Sequence, residues 1–194
     1  MKVLAGFEES GIIREAFKRM GHDAWSCDLL PTRIKGQHYQ GDIRDVLSEH
    51  WDLAIFCPPC TRLTNSGVRW LHERDLWDEL EEAAALFRVA LYADIEKVAV
   101  ENPIPHKYAV ELMGRSYDQI IQPFMFGHPE RKATCLWLKN LPKLEETNNV
   151  KEIMDNLPKN EAQRIHYMPP GPNRARNRSE TYLGVGDAMA AQWG

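Results

Sequence analysis

Short, continuously apolar runs alternate with amphipathic stretches of helical length along most of this chain. Each run has the length of a strand, and several end at a glycine, a proline or an acidic residue. Strands that are apolar throughout are typical of a parallel sheet with helices on both faces. The sequence therefore predicts an α/β fold, a three-layer sandwich with a mostly parallel sheet. The predicted strands are 3–5, 22–28, 51–56, 97–100, 119–123 and 134–138.

Apolar residues at helical spacing separate these strands. Helices are predicted at 12–20, 73–93, 106–113 and 186–192, with short ones after Gly41 and near 150–156. Residues 31–40 form a predicted loop, and the polar stretch 61–69 a mobile one. We expect a single domain, 1–194, in which the proline-bearing stretch 140–180 is a loop-rich basic extension.

The composition limits the classes of partner. A formal net charge of −4 argues against a non-specific coat of nucleic acid, so a phosphate ligand needs a local basic patch. No apolar run has the length of a membrane span, and the chain begins directly with a strand, so we expect neither membrane contact nor a signal peptide. Four cysteines in such a chain indicate reduced thiols and a cytoplasmic location.

A βαβ unit opens the chain. Its first loop, 6–11, has glycines between strand and helix, which suit either a nucleotide site or only a tight turn. Asp28 lies about 20 residues further on, the spacing of a ribose-binding carboxylate. Asp42 follows the next segment and could hold an adenine amino group. Because no Gly-Lys-Ser/Thr phosphate loop is present, the pattern favours a nucleoside-like cofactor without a triphosphate.

Two prolines stop the strand 51–56 and leave Cys60 on a stiff turn. We consider three chemical interpretations of Cys57 and Cys60: a dithiol redox pair, half of a zinc site, or a single nucleophile at Cys60. Arg62 is near enough in sequence to favour a thiolate. Inert, buried cysteines are the remaining alternative.

Glu101, like Asp28, is an acidic residue at the end of a predicted strand, and it follows the apolar run 97–100. A carboxyl group there is desolvated and could donate a proton, although it could equally belong to a turn network. Arg131 and Lys132 could fix this carboxylate or hold a phosphate, or be ordinary surface charges.

Basic and aromatic residues mark a possible nucleic-acid surface. The tail arginines Arg174, Arg176 and Arg178 alternate with small residues, as in an extended phosphate-contacting segment or a solvated loop. Trp70, in the polar loop region, is the tryptophan we expect to stack on a base.

Taken in chain order, these motifs resemble those of the C5-cytosine DNA methyltransferases. Residues 5–11 look like the cofactor loop, Asp28 matches the ribose acid, and 41–43 match the adenine-side motif. Pro58-Pro59-Cys60, with Thr64 after it, is similar to the Pro-Cys loop, with Thr61 where glutamine is common. Glu101-Asn102-Pro103 is similar to the Glu-Asn-Val motif, 126–132 look like the Gly-x-Pro-Gln-x-Arg-x-Arg motif, and 182–190 match the last cofactor helix loosely.

Two departures from the family pattern stand out. Glu130 replaces the motif's glutamine, and Thr134 falls where its second arginine is expected. About forty residues separate the strand of Trp137 from the last helix, where the family inserts a target-recognition domain. The resemblance therefore implies a small member, of the kind that phages encode, working in the host cytoplasm.

The resemblance implies a Rossmann-like fold and transfer of a methyl group from S-adenosylmethionine to C5 of cytosine in DNA, without a metal. Sequence specificity would come from a protein partner or from self-association.

The implied catalytic residues are Cys60, Glu101, Arg131 and Lys132. The implied cofactor-binding residues are Gly6, Phe7, Glu8, Ser10, Gly11, Asp28, Asp42, Ile43 and Pro58. The DNA-contacting residues are expected to be Arg62, Thr64, Trp70, Arg174, Arg176 and Arg178. The alternatives are an inactive methyltransferase-like protein that binds nucleic acid or a partner, and a dithiol redox protein.

Overall fold

The computed structural model, which describes residues 1–194, has one seven-stranded sheet at its centre. The strands are β1 (Lys2–Gly6), β2 (Asp23–Asp28), β3 (His38–Gln40), β4 (Leu53–Phe56), β5 (Lys97–Pro103), β6 (Gln119–Ile121) and β7 (Thr134–Lys139). They lie in the order β3-β2-β1-β4-β5-β7-β6, and β7 alone runs antiparallel to its neighbours. The predicted α/β fold with a mostly parallel sheet is confirmed.

Nine helices accompany the sheet. They are α1 (Ile12–Arg19), α2 (Val68–Arg74), α3 (Trp77–Leu91), α4 (Lys107–Met113), α5 (Lys151–Asp155), α6 (Lys159–Ala162), α7 (Arg164–Tyr167), α8 (Arg174–Ser179) and α9 (Leu183–Trp193). Single 3₁₀ turns lie at Ile43–Asp45, Asn65–Gly67 and Pro123–Met125. No helix combines the length and the apolar character needed to cross a bilayer.

The sheet separates two apolar cores. On one face, α3 and α4 pack over β4, β5 and β7, where the ring centroids of Phe87 and Trp137 lie 4.9 Å apart. On the other face, α1 and α9 pack together and bury Phe17 and Met189. Helices on both faces explain why the strands are apolar along their whole length.

Gly6 ends β1 at a point where no larger residue fits. A Cβ atom there would lie 2.4 Å from the ring of Phe56, so the last residue of β1 must be glycine for the two strands to pair closely. Gly11 begins α1 with a φ of 80°, a conformation that glycine adopts without strain. The glycines of this loop therefore have structural roles, whatever the loop binds.

The helix predicted at 73–93 corresponds to α3, which begins only at Trp77, while residues 73 and 74 belong to the end of α2. Helix α2 ends at Asp75, whose φ is 50°, and aspartate tolerates this left-handed conformation better than most residues. The stretch 61–69, predicted as a mobile loop, contains a 3₁₀ turn and the start of α2. The predicted loop 31–40 includes the edge strand β3.

The extension 140–180 is more helical than predicted. Besides α5, which was expected, it contains α6, α7 and α8, each of four to six residues. Helices this short carry too few residues to show a periodic apolar face. The last helix, α9, begins at Leu183, three residues before the predicted start. The assignment of 1–194 to a single domain stays a prediction.

Candidate active site

The carboxyl ends of four parallel strands meet at one edge of the sheet. The register pairs Gly6 with both Cys27 and Phe56, and Phe56 with Val100. The residues that follow these positions, among them Cys57 and Glu101, therefore come side by side at that edge. This is the place where open α/β sheets bind their ligands.

Hydrogen bonds to β1 and β5 fix the Cys-Pro-Pro-Cys turn. Asn102 donates from Nδ2 to the carbonyl oxygen of Pro58 over 2.8 Å, and the amide of Cys57 donates to the carbonyl of Gly6 over 3.0 Å. The carbonyl of Cys60 accepts from the amide of Leu63 at 3.0 Å. The turn is thus attached on both sides, which gives Cys60 a defined position.

His106 holds the segment that follows Cys60. Its amide donates to the carbonyl of Leu63 over 3.0 Å, and its Nε2 lies 2.8 Å from the carbonyl of Arg62. Nδ1 accepts from the amide of Ala109 at 3.1 Å, so Nε2 carries the proton and donates. His106 therefore caps α4 and fastens the Cys60 segment with one side chain.

The thiol of Cys60 is half-buried and lies among charged groups. Burial and the carboxylate of Glu101 raise its pKa, while Lys132 and Arg178 act in the opposite direction. In this conformation the thiol is the stable form at neutral pH, because burial disfavours the thiolate. The carboxylate of Glu101 is thus close enough to act on the Cys60 thiol, and the catalytic pairing of the two stays a prediction.

Cys57 and Glu101 each follow one residue of the paired positions Phe56 and Val100. Burial and the carboxylates of Glu101 and Glu8 raise the pKa of the Cys57 thiol well above its ordinary value, while the nearby Thr181 acts in the opposite direction. This thiol is surrounded by negative charge, which is unfavourable for a nucleophile. Both Cys57 and Cys60 are free thiols in the structure.

Glu101 is buried and lines a small pocket. The other polar residues of the pocket include Gln122, Lys132, Thr134 and Thr181. Its volume of about 20 Å³ has room for roughly one water molecule. The pocket is therefore too small for a pyrimidine in this conformation.

The two basic residues predicted to act near Glu101 point to different places. Lys132 lines the pocket, and its Nζ donates to the carbonyl of Glu180 over 3.0 Å. Arg131 instead pairs with Asp155 of α5, 2.6 Å away, with half of its side chain exposed. The structure brings Lys132 to the predicted site and does not bring Arg131 there, because α5 supplies a surface carboxylate.

The loop after β1 presents an unpaired carboxylate oxygen. Phe7 has a φ of 58°, and Glu8 folds back so that its Oε1 accepts from Ser10 and from the amide of Ile12. Its Oε2 is buried without a hydrogen-bond partner, and burial raises the pKa of this carboxyl group. A buried acceptor without a partner is costly, which makes it a candidate for a ligand's donor group.

Two further acids lie beside this loop. Asp28 and Asp42 each accept a backbone amide at 2.9 Å with Oδ1, from Leu30 and Arg44 respectively, and leave Oδ2 without a protein partner. Both carboxylates act on the buried thiol of Cys27. Together with burial, which is the larger cause, they raise its pKa to about 12. Ile43 is buried next to Asp42.

The tail arginines do not form an extended segment, because they belong to α8. Arg176 pairs with Glu9 over 2.7 Å, and Arg174 donates from Nε to the carbonyl of Met168 over 2.9 Å. Arg178 faces the Cys60 side, with its Nε buried and unpaired. Thus only Arg178 of the three lies next to the predicted nucleophile.

The remaining predicted DNA contacts lie on the segment after Cys60. Arg62 pairs with Glu79 at 2.8 Å, and Thr64 is buried with its hydroxyl 3.0 Å from that of Ser66. Trp70 lies in α2, where Arg69 and Arg74 each stand 4.3 Å from its ring. Its ring already has cationic partners, so stacking on a base would have to displace or share them.

Sequence reasoning missed three residues that shape this site: His106, Thr181 and Glu9. Each acts through a partner distant in the chain, so no local motif marks it. A histidine directly before a helix is a weak signal for a cap, and it could have pointed to His106.

No protein-family model and no curated protein matches the sequence. Among solved structures, the chain is similar to an E. coli prophage-encoded protein provisionally classed as a DNA modification methyltransferase. The match has a TM-score of 0.50 and 16% identity, and covers 82% of this chain and 56% of the other. At this identity the likeness shows a shared α/β fold. A looser match, with a TM-score of 0.43 and 16% identity, is the Entamoeba histolytica methyltransferase EhMeth, covering 77% of this chain and 57% of that one. The chain spans little more than half the length of either structure.

No group of three or more His, Cys, Asp or Glu side chains is placed to hold a metal ion.

Proposed function

We propose that this protein transfers a methyl group from S-adenosylmethionine to C5 of cytosine in DNA, with Cys60 as the nucleophile. The observation that carries the proposal is the register of β4 and β5, which brings the Cys60 turn and Glu101 to one edge beside the loop 6–11. The likeness to a prophage protein classed as a DNA modification methyltransferase supports the choice of DNA.

The residues present fit the cofactor. The unpartnered Oε2 of Glu8 can accept from the ammonium group of S-adenosylmethionine, and the free oxygens of Asp28 and Asp42 can accept from ribose hydroxyls and the adenine amino group. Buried Ile43 offers an apolar wall for the adenine. When bound, the cofactor supplies an electrophilic methyl group on a sulfonium.

Cys60 and Glu101 would divide the work on cytosine. The Cys60 thiolate adds to C6 while Glu101 hydrogen-bonds to or protonates N3, and C5 becomes nucleophilic enough to take the methyl group. With the methyl group transferred, the thioether S-adenosylhomocysteine would remain. A base then removes the C5 proton, the bond from the Cys60 sulfur to C6 breaks, N3 returns any proton it took to Glu101, and the thiolate is restored. A duplex substrate would have to present the cytosine flipped out of the stack.

The charges around Cys60 suit this division. The Glu101 carboxylate opposes ionisation of the Cys60 thiol, so a proton on Glu101 removes an obstacle to the thiolate that attacks. Lys132 and Arg178 favour the thiolate directly.

Two measurements test the proposal. The first is transfer of labelled methyl groups to DNA by the wild type, Cys60→Ser, Glu101→Gln and the control Cys135→Ala. We expect loss of activity in the first two variants only. The second uses DNA carrying 5-fluorocytosine, which has no C5 proton to lose, so the adduct with Cys60 should persist on a denaturing gel. Equal transfer by Cys60→Ser and the wild type would refute the nucleophile assignment.

A second candidate is a binding protein that keeps the fold without turnover. It is favoured by the small pocket at Glu101 and by the burial that raises the pKa of the Cys60 thiol. Calorimetry with S-adenosylhomocysteine and with DNA distinguishes the two, because a binding protein would retain affinity in a preparation that transfers no methyl groups. The dithiol redox alternative predicts instead that Cys57→Ser abolishes the activity.

A further inference from the structure

Four charged side chains connect helix α8 to the loop after β1 and to the turn after β2. Glu9 accepts from Arg176 at 2.7 Å and from Arg33 at 2.9 Å, using both carboxylate oxygens. Arg33 also pairs with Glu180 at 2.9 Å. We call these four residues the Glu9 cluster, and no sequence motif marks it.

Glu9 is the centre of this cluster. Its side chain is 12% exposed, against 41% for Arg176 and 38% for Glu180. Its backbone carbonyl also accepts the amide of Arg33 over 2.8 Å. An ion pair that shares one largely buried carboxylate between two guanidinium groups is better ordered than an isolated surface pair.

Helix α8 has few other attachments. It buries no residue, and its side chains make one further bond outside it, from Arg174 to the carbonyl of Met168. Directly after it, Lys132 donates to the carbonyl of Glu180. A helix of six residues is not stable by itself, so the contacts with the rest of the protein determine where it lies.

Arg178 lies at the end of α8 that meets the site: two residues later the carbonyl of Glu180 accepts from Lys132, and Thr181 lines the pocket of Glu101. Its Nε is buried without a hydrogen-bond partner, and no carboxylate lies within 4 Å of its guanidinium group. Its charge acts on the Cys60 thiol together with those of Lys132 and Glu101. The charge of Arg178 is therefore available to a thiolate rather than neutralised by a neighbour.

We propose that Glu9 is a positioning residue: by holding α8 through Arg176, it keeps Arg178 beside the Cys60 thiol. The inference rests on the role proposed for Cys60 and extends it, because the nucleophile then depends on a carboxylate 51 residues before it, which acts through a helix near the other end of the chain. Loss of the Glu9 charge frees α8, Arg178 moves away, and the thiolate loses one of its two cations.

The test is the rate at which iodoacetamide alkylates Cys60 as a function of pH, followed by mass spectrometry of the Cys60 peptide. It needs neither cofactor nor DNA, so it gives an answer even if the protein transfers no methyl groups. Glu9→Gln and Arg178→Gln should each slow alkylation at neutral pH by about threefold, as expected for removal of one nearby cation at a partly solvated site. Arg176→Gln should act in the same direction.

The double variant distinguishes positioning from a general loss of structure. Glu9→Gln should have no further effect once Arg178 is replaced, because its influence passes through that residue. Asp187→Asn, which removes the surface pair with Arg19, is the matched control and should leave the Cys60 rate unchanged. Buried Cys135 is an internal reference, since its alkylation would report unfolding.

An unchanged pH profile in Glu9→Gln would overturn the proposal, and so would additive effects in the double variant. If Glu9→Gln instead speeds the alkylation of Cys60 and Cys135 together, Glu9 has a structural role only, and the proposal is also rejected.

Discussion

Asn102 and Pro58 join the two strand ends on which the proposed chemistry depends. The 2.8 Å hydrogen bond from the amide of Asn102 to the carbonyl of Pro58 crosses from β5 to the turn that carries Cys60. Asn102 directly follows Glu101 in the chain. One short segment therefore carries the proposed acid, Glu101, and also fixes the turn of the proposed nucleophile, Cys60. A proline turn lacks amide donors of its own, which makes such an outside donor important.

We expect Asn102→Ala to lower the free energy of unfolding by about 1–2 kcal/mol and methyl transfer by about tenfold or more. The activity should fall further than stability alone explains, because the turn becomes free to shift. Denaturant unfolding and labelled transfer measure the two effects. Asn156→Ala removes an exposed side-chain bond of similar length, 2.9 Å, to the carbonyl of Glu152 and should affect activity little. Parallel losses in both variants would contradict the positioning role.

Glu101→Gln should make the Cys60 thiol more acidic. The Glu101 carboxylate raises the pKa of this thiol, so a neutral amide at the same place lets it fall toward its ordinary value. Alkylation of Cys60 at neutral pH should therefore become faster, while methyl transfer is lost. Opposite changes in thiol reactivity and turnover would separate the electrostatic role of Glu101 from its proposed role at N3. Slower alkylation in the variant would show that the carboxylate is not close to the thiol.

The strand ends could be predicted from sequence because apolar runs of this length are stopped by prolines, glycines or acids. That pattern was enough to bring Cys60 and Glu101 to one edge. It could not show that the β4–β5 register sets Cys57 against Glu101, because register depends on packing over the whole sheet. Nor could it show that Arg131 pairs with Asp155, since the partner lies in a short helix without a periodic pattern.

Glu8→Gln should weaken cofactor binding by about tenfold or more. The amide can still accept from Ser10 and Ile12 at Oε1, so the loop should keep its shape. It would present a donor where the buried, unpartnered Oε2 lay, opposite the proposed ammonium group. Titration calorimetry with S-adenosylhomocysteine measures the change. Glu49→Gln, whose carboxylate pairs with Lys2 at the surface, is the control. Unchanged affinity in Glu8→Gln would place the cofactor's amino group elsewhere.

The Glu9 cluster should make a contribution to stability that depends on pH. The hydrogen bonds from Arg176, followed by those from Arg33, lower the pKa of Glu9 from 4.5 to about 2. Because the folded value lies below the unfolded one, the contribution is complete above about pH 4.5 and disappears as the pH falls toward 2. Wild type should therefore exceed Glu9→Gln in free energy of unfolding at pH 7, by about 1 kcal/mol for a partly exposed network, and the gap should close near pH 2. Urea unfolding at pH 7, 4 and 2 measures this difference in free energy.

High salt should reduce the difference between wild type and Glu9→Gln at pH 7 in the same way, since these pairs are only partly shielded from solvent. A gap that is constant across pH would mean that Glu9 stabilises the fold by packing rather than by charge.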